Sequence, residues 1–169
     1  QLARLPWAYA MAGVSAPRMM SELGAAIEQR VASLEPAHLA QVAAACAAQA
    51  IQAPSLYRAL MRAALSKHLA GGGGGHQTAA VERHAPMKVD ALSAHELTLL
   101  LWGVALHESA TRAPPGAAET LPFFSAVSAR AMDKVKWMGT EALCNLLFGA
   151  ALLAPYATPV IEGAAAAAA

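Results

Sequence analysis

The stretch Leu97–Leu106, Leu-Thr-Leu-Leu-Leu-Trp-Gly-Val-Ala-Leu, constrains the fold more than any other part of the chain. Ser93 stands three residues ahead of Glu96, just before this run. Such a pair forms a capping box, in which each side chain satisfies a free backbone N–H of the first helical turn. A helix is therefore predicted to start near Ser93, with Leu97, Leu100, Leu101, Val104 and Ala105 at the spacing of one apolar face. Trp102 is large, while Gly103 and Ala105 beside it are small. Small residues admit a second helix at close range, and the indole fills the space next door.

The same order of landmarks recurs. It reads Leu2, Leu5, Trp7, Ala8, Ala10 near the start and Leu143, Leu146, Phe148, Gly149, Ala151 near the end. A weaker copy, without the aromatic, reads Leu39, Val42, Ala44, Ala45, Ala47. The leading leucines stand at 2, 39, 97 and 143, so the steps are 37, 58 and 46 residues. The first step suits a two-helix repeat, and the longer two require inserted loops. The prediction is an all-α fold: a short α-solenoid of antiparallel helix pairs, about four repeat units, two of them with insertions.

The intervening chain fits this scheme. Gly13 reads as a helix stop, and Pro17 as the first turn of a second helix. Pro6 is awkward inside the first helix, which must either start near it or kink there. Met19, Met20, Leu23, Ala26, Ile27 and Val31 share one face of the second helix. Ser33–Pro36 starts a third, which is Ala-dominated and expected to pack thinly. After the turn at Pro54, Leu56, Leu60, Ala63, Ala64 and Leu65 face inward while Arg58, Arg62, Ser66 and Lys67 face outward. A partner helix is predicted over Glu119–Trp137, regular from near Pro122, with Phe123, Phe124, Val127, Ala131 and Val135 inward. Pro155 and Pro159 end the last helix. In outline, 1–70 holds two repeats and 71–91 a flexible Gly-rich insertion. Two further repeats, the last incomplete, occupy 92–163, and the poly-Ala of 164–169 carries no information.

Composition narrows the function classes. Apolar residues make up 57% and charged ones 14%, which suits a piece of a larger array or assembly. Gln1 stands in the middle of a repeat, so the chain reads as a processed or partial segment. A net charge of +1 gives no strong nucleic-acid signature. Cys46 and Cys144, both within predicted helices, read as buried thiols in a reducing compartment. The five glycines Gly71–Gly75 lack the strand before and the Lys-Ser or Lys-Thr after that a phosphate loop needs. His68, His76 and His84 do not match metal-ligand spacings. His107-Glu108 reads as a solvated helix cap. Polar interruptions and prolines exclude a membrane span from the two uncharged windows. With no Gly-x-Ser-x-Gly, no His-Glu-x-x-His and no acid/base pair, the chain reads as a non-enzyme without cofactor, metal or small-molecule substrate.

The motifs Leu-x-x-Leu-x-Trp-Ala-x-Ala-x-x-Gly at Leu2–Gly13 and Leu-Ser-x-x-Glu-Leu-x-x-Leu-Leu-Trp-Gly-x-Ala at Leu92–Ala105 resemble the octotricopeptide repeats of green algae. They are similar to the helical repeats of FAST-kinase-like and RAP-domain proteins, including apicomplexan ones. The resemblance implies organelle RNA work. The expected function is a structural, RNA-contacting subunit of an organellar ribonucleoprotein, foremost a mitochondrial ribosome, with a chloroplast or other plastid as the alternative compartment. Its partners would be RNA, foremost rRNA, and neighbouring protein subunits. The candidate RNA contacts are Arg4, Arg58, Arg62, Lys67, Arg130, Lys134 and Lys136, with His38, Gln41, His95 and Thr98 as polar companions on the first helices. Two alternatives stand beside it: a protein–protein scaffold of another organellar complex, and a fragment of a transcript-stability factor.

Overall fold

The computed structural model describes residues 2–67, 86–111 and 117–153, with the side chains of 117 and 118 left out. Seven α-helices and three short 3-10 turns account for most of them. The helices are α1 Arg4–Met11, α2 Pro17–Glu28, α3 Pro36–Ala48, α4 Pro54–Leu65, α5 Ala94–Thr111, α6 Ala117–Asp133 and α7, residues 140–153. The 3-10 turns are Val31–Ser33, Lys88–Ala91 and Val135–Trp137. The Gly71–Gly75 run, His68, His76, His84, the Pro114-Pro115 loop and the chain from 154 onward lie outside the described residues.

Local chemistry accounts for most helix ends. Pro17, Pro36 and Pro54 each occupy the first helical position of their helix, where no backbone donor is lost. α1 starts at Arg4, two residues ahead of Pro6, which therefore lies in the first turn, where its missing N–H costs no helical hydrogen bond. The capping box forms as predicted: Ser93 N donates to Glu96 Oε2 at 2.7 Å, and Glu96 N to Ser93 Oγ at 3.3 Å. Gly13 stops α1 in the left-handed region at φ 65°. Its N–H donates to Ala10 O, and that of Val14 to Tyr9 O, the pair of bonds of a Schellman motif. The end of α3 repeats those bonds, Ala50 to Ala47 O and Ile51 to Cys46 O, but with Ala50 at φ 52°. The predicted partner helix differs at both ends. It begins ahead of Pro122, which sits exposed inside α6, and its last turn, Val135–Trp137, tightens to 3-10 with Val135 turned to solvent.

The packing is that of an all-α helical repeat. Contacts run from α1 to α3 to α5 along one row and from α2 to α4 to α6 along the other; α3 also meets α4, and α5 meets α6. The small position of the repeat makes the joints within the first row. A Cβ added to Gly103 on α5 would lie 2.6 Å from the backbone carbon of Ala43 on α3. One added to Gly149 on α7 would lie 3.0 Å from Cγ of Leu101 on α5. Ala43 stands in its copy where Leu101 stands in the next, so the two joints share one register. Ala8, the equivalent residue of α1, is exposed.

The expectation that α3 packs thinly is overturned. Leu39, Ala40 and Val42–Cys46 are all buried, and α3 is the most enclosed helix of the first row. Its alanines make it slim, which lets α1, α4 and α5 close on it together. Residues 86–91, assigned to the flexible insertion, are packed instead. Lys88 is buried, and its Nζ donates to the carbonyls of Ala32 (2.7 Å) and Leu34 (2.6 Å), where α2 passes to α3. Burial lowers its pKa, and Glu35 nearby offsets part of that.

Candidate functional site

The first-helix row carries a groove of about 240 Å³. Trp7 of α1 and Trp102 of α5 line it, with Ala44 and Ala48 of α3 between them and Glu141 and Asn145 of α7 beside Trp102. Trp7, Ala44 and Trp102 are the third landmark of three successive copies, so equivalent residues come to one surface. The groove lies where the weak copy lacks its aromatic: Ala44 leaves open the space an indole would fill. Both tryptophans are half-buried, packed against the core as the sequence implied, and line the groove. Among the described residues Glu141 is the one charged residue lining it.

The predicted RNA contacts do not gather there. Arg62 pairs with Glu119 at 3.6 Å, joining α4 to α6. Arg130 pairs with Asp90 and, at 3.2 Å, with Asp133. Lys134 Nζ donates to the carbonyl of Leu92. Lys136 Nζ lies 4.3 Å from the ring centroid of Trp137. Lys67 sits where its backbone bridges Met87. Arg4 and Arg58 are exposed on α1 and α4, in different rows, with Glu108 near Arg58. Arg62, Arg130, Lys134 and Lys136 thus serve contacts within the protein. Arg130 and Lys134, together with Lys88, clamp the Lys88–Ala91 turn against α6 and the α2–α3 connection. Of the polar companions, Thr98 is fully buried and donates to His95 O at 2.9 Å, while buried Gln41 Oε1 has no hydrogen-bond partner.

A buried polar pair escaped the sequence analysis. His107 and Glu108, read as a solvated cap, are 4% and 8% exposed. The His107 ring stacks on Tyr57 of α4 with centroids 3.9 Å apart and planes within 5°. Tyr57 donates its hydroxyl to the Ala43 carbonyl at 3.0 Å. Nδ1 of His107 is buried without a partner, and burial pushes its pKa down to about 4, so the ring is neutral at pH 7. Burial raises the Glu108 carboxyl, an effect Arg58 opposes. Cys46 is buried as predicted and pushed up to about 11, which keeps it a thiol; Cys144, expected buried, is exposed on α7.

No protein-family model, no curated protein and no solved structure matches the chain. Function must therefore be argued from the surface itself. Among the described residues no group of His, Cys, Asp and Glu could hold a metal ion, and no helix is long and apolar enough to cross a membrane. What the surface does offer is apolar. Leu5, Met11 and Val14 are exposed at the α1 end of the row, and Leu147 and Phe148 at the α7 end, 69% and 49% exposed. Met132 and Trp137 add a further exposed pair at the end of α6.

Proposed function

We propose that this chain is a structural helical-repeat subunit of an organellar assembly, held in place by protein–protein contacts along its first-helix row. The observation that carries this reading is the exposed pair Leu147 and Phe148 on α7, a helix with an apolar outer face. Exposed apolar residues clustered on one element mark an interaction site. The engagement of Arg62, Arg130, Lys134 and Lys136 with protein groups favours the scaffold over an RNA reader. The organellar setting rests on the resemblance of the repeats to octotricopeptide and related families. A second reading, the RNA-contacting subunit of an organellar ribonucleoprotein such as a mitochondrial ribosome, is favoured by the exposed Arg4 and Arg58.

Sedimentation of the tagged protein in an organelle lysate, with and without ribonuclease, separates the two. The scaffold reading expects a large complex that survives nuclease and from which Phe148→Glu releases the protein. Release by nuclease alone, with Phe148→Glu without effect, would establish the RNA reading in its place. Migration as a free monomer in untreated lysate would defeat both.

A further inference from the structure

The groove between the two indoles has a chemistry more specific than apolar docking. Three of its features are fixed by different helices. Trp7 and Trp102 present aromatic rings from α1 and α5. Ala44 and Ala48 keep the floor between them low. Glu141, in the first turn of α7, sets a carboxylate at the rim, and Asn145 stands one helical turn on. The open volume, about 240 Å³, is of the order of one large side chain.

Aromatic faces attract cations, and a carboxylate beside them adds charge and hydrogen-bond acceptors. A guanidinium satisfies both at once, because its plane stacks on a ring while its edge donates two parallel N–H bonds to a carboxylate. An ammonium is a compact, strongly hydrated point charge and uses the rings less well. A nucleobase would also stack on an indole, but its phosphates need cations, and among the described residues no Lys or Arg lines the groove. We infer that the groove between Trp7 and Trp102 receives an arginine side chain of a partner protein, stacked on the indoles and paired with Glu141. The inference rests on the scaffold reading above and names the chemistry of one of its partners.

Fluorescence anisotropy with a short labelled peptide tests it on the full chain. The peptide carries one central Arg flanked by Leu and Ala; its controls replace Arg by the neutral isostere citrulline and by Lys. The Arg peptide should bind saturably and the citrulline peptide about 10-fold more weakly, with Lys between them. Glu141→Gln should remove most of the preference for Arg over citrulline. Ala48→Trp should abolish binding by filling the groove from its floor. Glu141 and Ala48 are both exposed, so neither change threatens folding, and circular dichroism checks this. Equal binding of the Arg and citrulline peptides would overturn the inference, as would saturable binding of none. Competition by labelled oligouridine, strengthened in Glu141→Gln, would overturn it in favour of base stacking. If the nuclease-resistant complex persists while the groove binds no Arg peptide, the inference alone falls and the scaffold reading stands.

Discussion

Helices α3 and α7 carry the same landmarks and differ sharply in burial. α3 has lost the aromatic and is built largely of alanine, yet it is enclosed by α1, α4 and α5. α7 keeps its aromatic, Phe148, and turns it with Leu147 to solvent. Burial in this molecule thus follows place in the row more than side-chain hydrophobicity. An inner helix is pressed from both sides of its row and from the second row, and small residues let all three neighbours approach. α7, the last described helix of this row, approaches α5 through Gly149, and its larger apolar residues Leu147 and Phe148 face outward.

That contrast is open to attack at several points. The largest effect is expected at Gly103, where an added Cβ would meet the Ala43 backbone and the carbonyl that Tyr57 uses. Gly103→Val should cost about 4 kcal/mol or prevent folding, because backbone cannot yield cheaply. Gly149→Ala, at the same register on α7, meets the Leu101 side chain first, at 3.0 Å, and its backbone only at an ordinary 3.6 Å, and should cost less than about 1 kcal/mol in urea denaturation. Similar losses at the two sites would break the distinction between inner and end joints.

The inner helices should also carry an acid-labile term. His107 has a folded-state pKa of about 4 against an ordinary 6.5, so the unfolded chain takes up the proton first. The stability is present in full above pH 6.5 and is lost as pH falls toward 4, by about 3 kcal/mol. His107→Phe keeps the stack on Tyr57 and should flatten this part of the pH profile. An unchanged profile would mean that the ring is not buried as neutral imidazole.

A smaller test compares the ends of α1 and α3, which make the same Schellman bonds around Gly13 and Ala50. Left-handed backbone strains a residue with a Cβ, so Ala50→Gly should stabilise by about 1 kcal/mol. Gly13→Ala should destabilise by about the same amount, and thermal melts of the pair would sharpen the comparison. The smallest effect belongs to α7: Phe148→Ser should change stability by less than about 0.5 kcal/mol, as an exposed position should. A large loss there would show that Phe148 supports the fold.

Much of the architecture was legible because its signals are local. The Ser93–Glu96 box, the prolines that open α2, α3 and α4, the Gly13 stop and the small Gly103 each act within one turn or one contact. The helix pairs and their register follow from these and from the landmark spacing. The features that were missed depend on partners far apart in sequence. Arg130 and Lys134 look like a basic helix end until Asp90 and Leu92 are brought beside them. His107 looks like a cap until Tyr57, on another helix, stacks against it. The Ala-rich α3 looks weak because a list of residues does not show how many neighbours close on a slim helix. The groove was hidden for a related reason: it is made by a missing side chain, Ala44, and only the flanking indoles outline it. A hint was available, since Ala44 is the sole break in the aromatic landmark.

The antiparallel bridge between Lys67 and Met87, with Lys88 N donating to Ser66 O at 2.8 Å, brings together two points of the chain that are 20 residues apart in sequence. Those two points stay neighbours whatever is spliced between them, and the entropy of closing the intervening span grows only slowly with its length. The polypeptide is in that sense two halves already docked at a seam. Cut between those points, the halves should reassemble when co-expressed, with Lys88, bonded to the Ala32 and Leu34 carbonyls, and the Arg62–Glu119 pair joining the two. The same seam is where a foreign domain could be grafted without disturbing either row of helices.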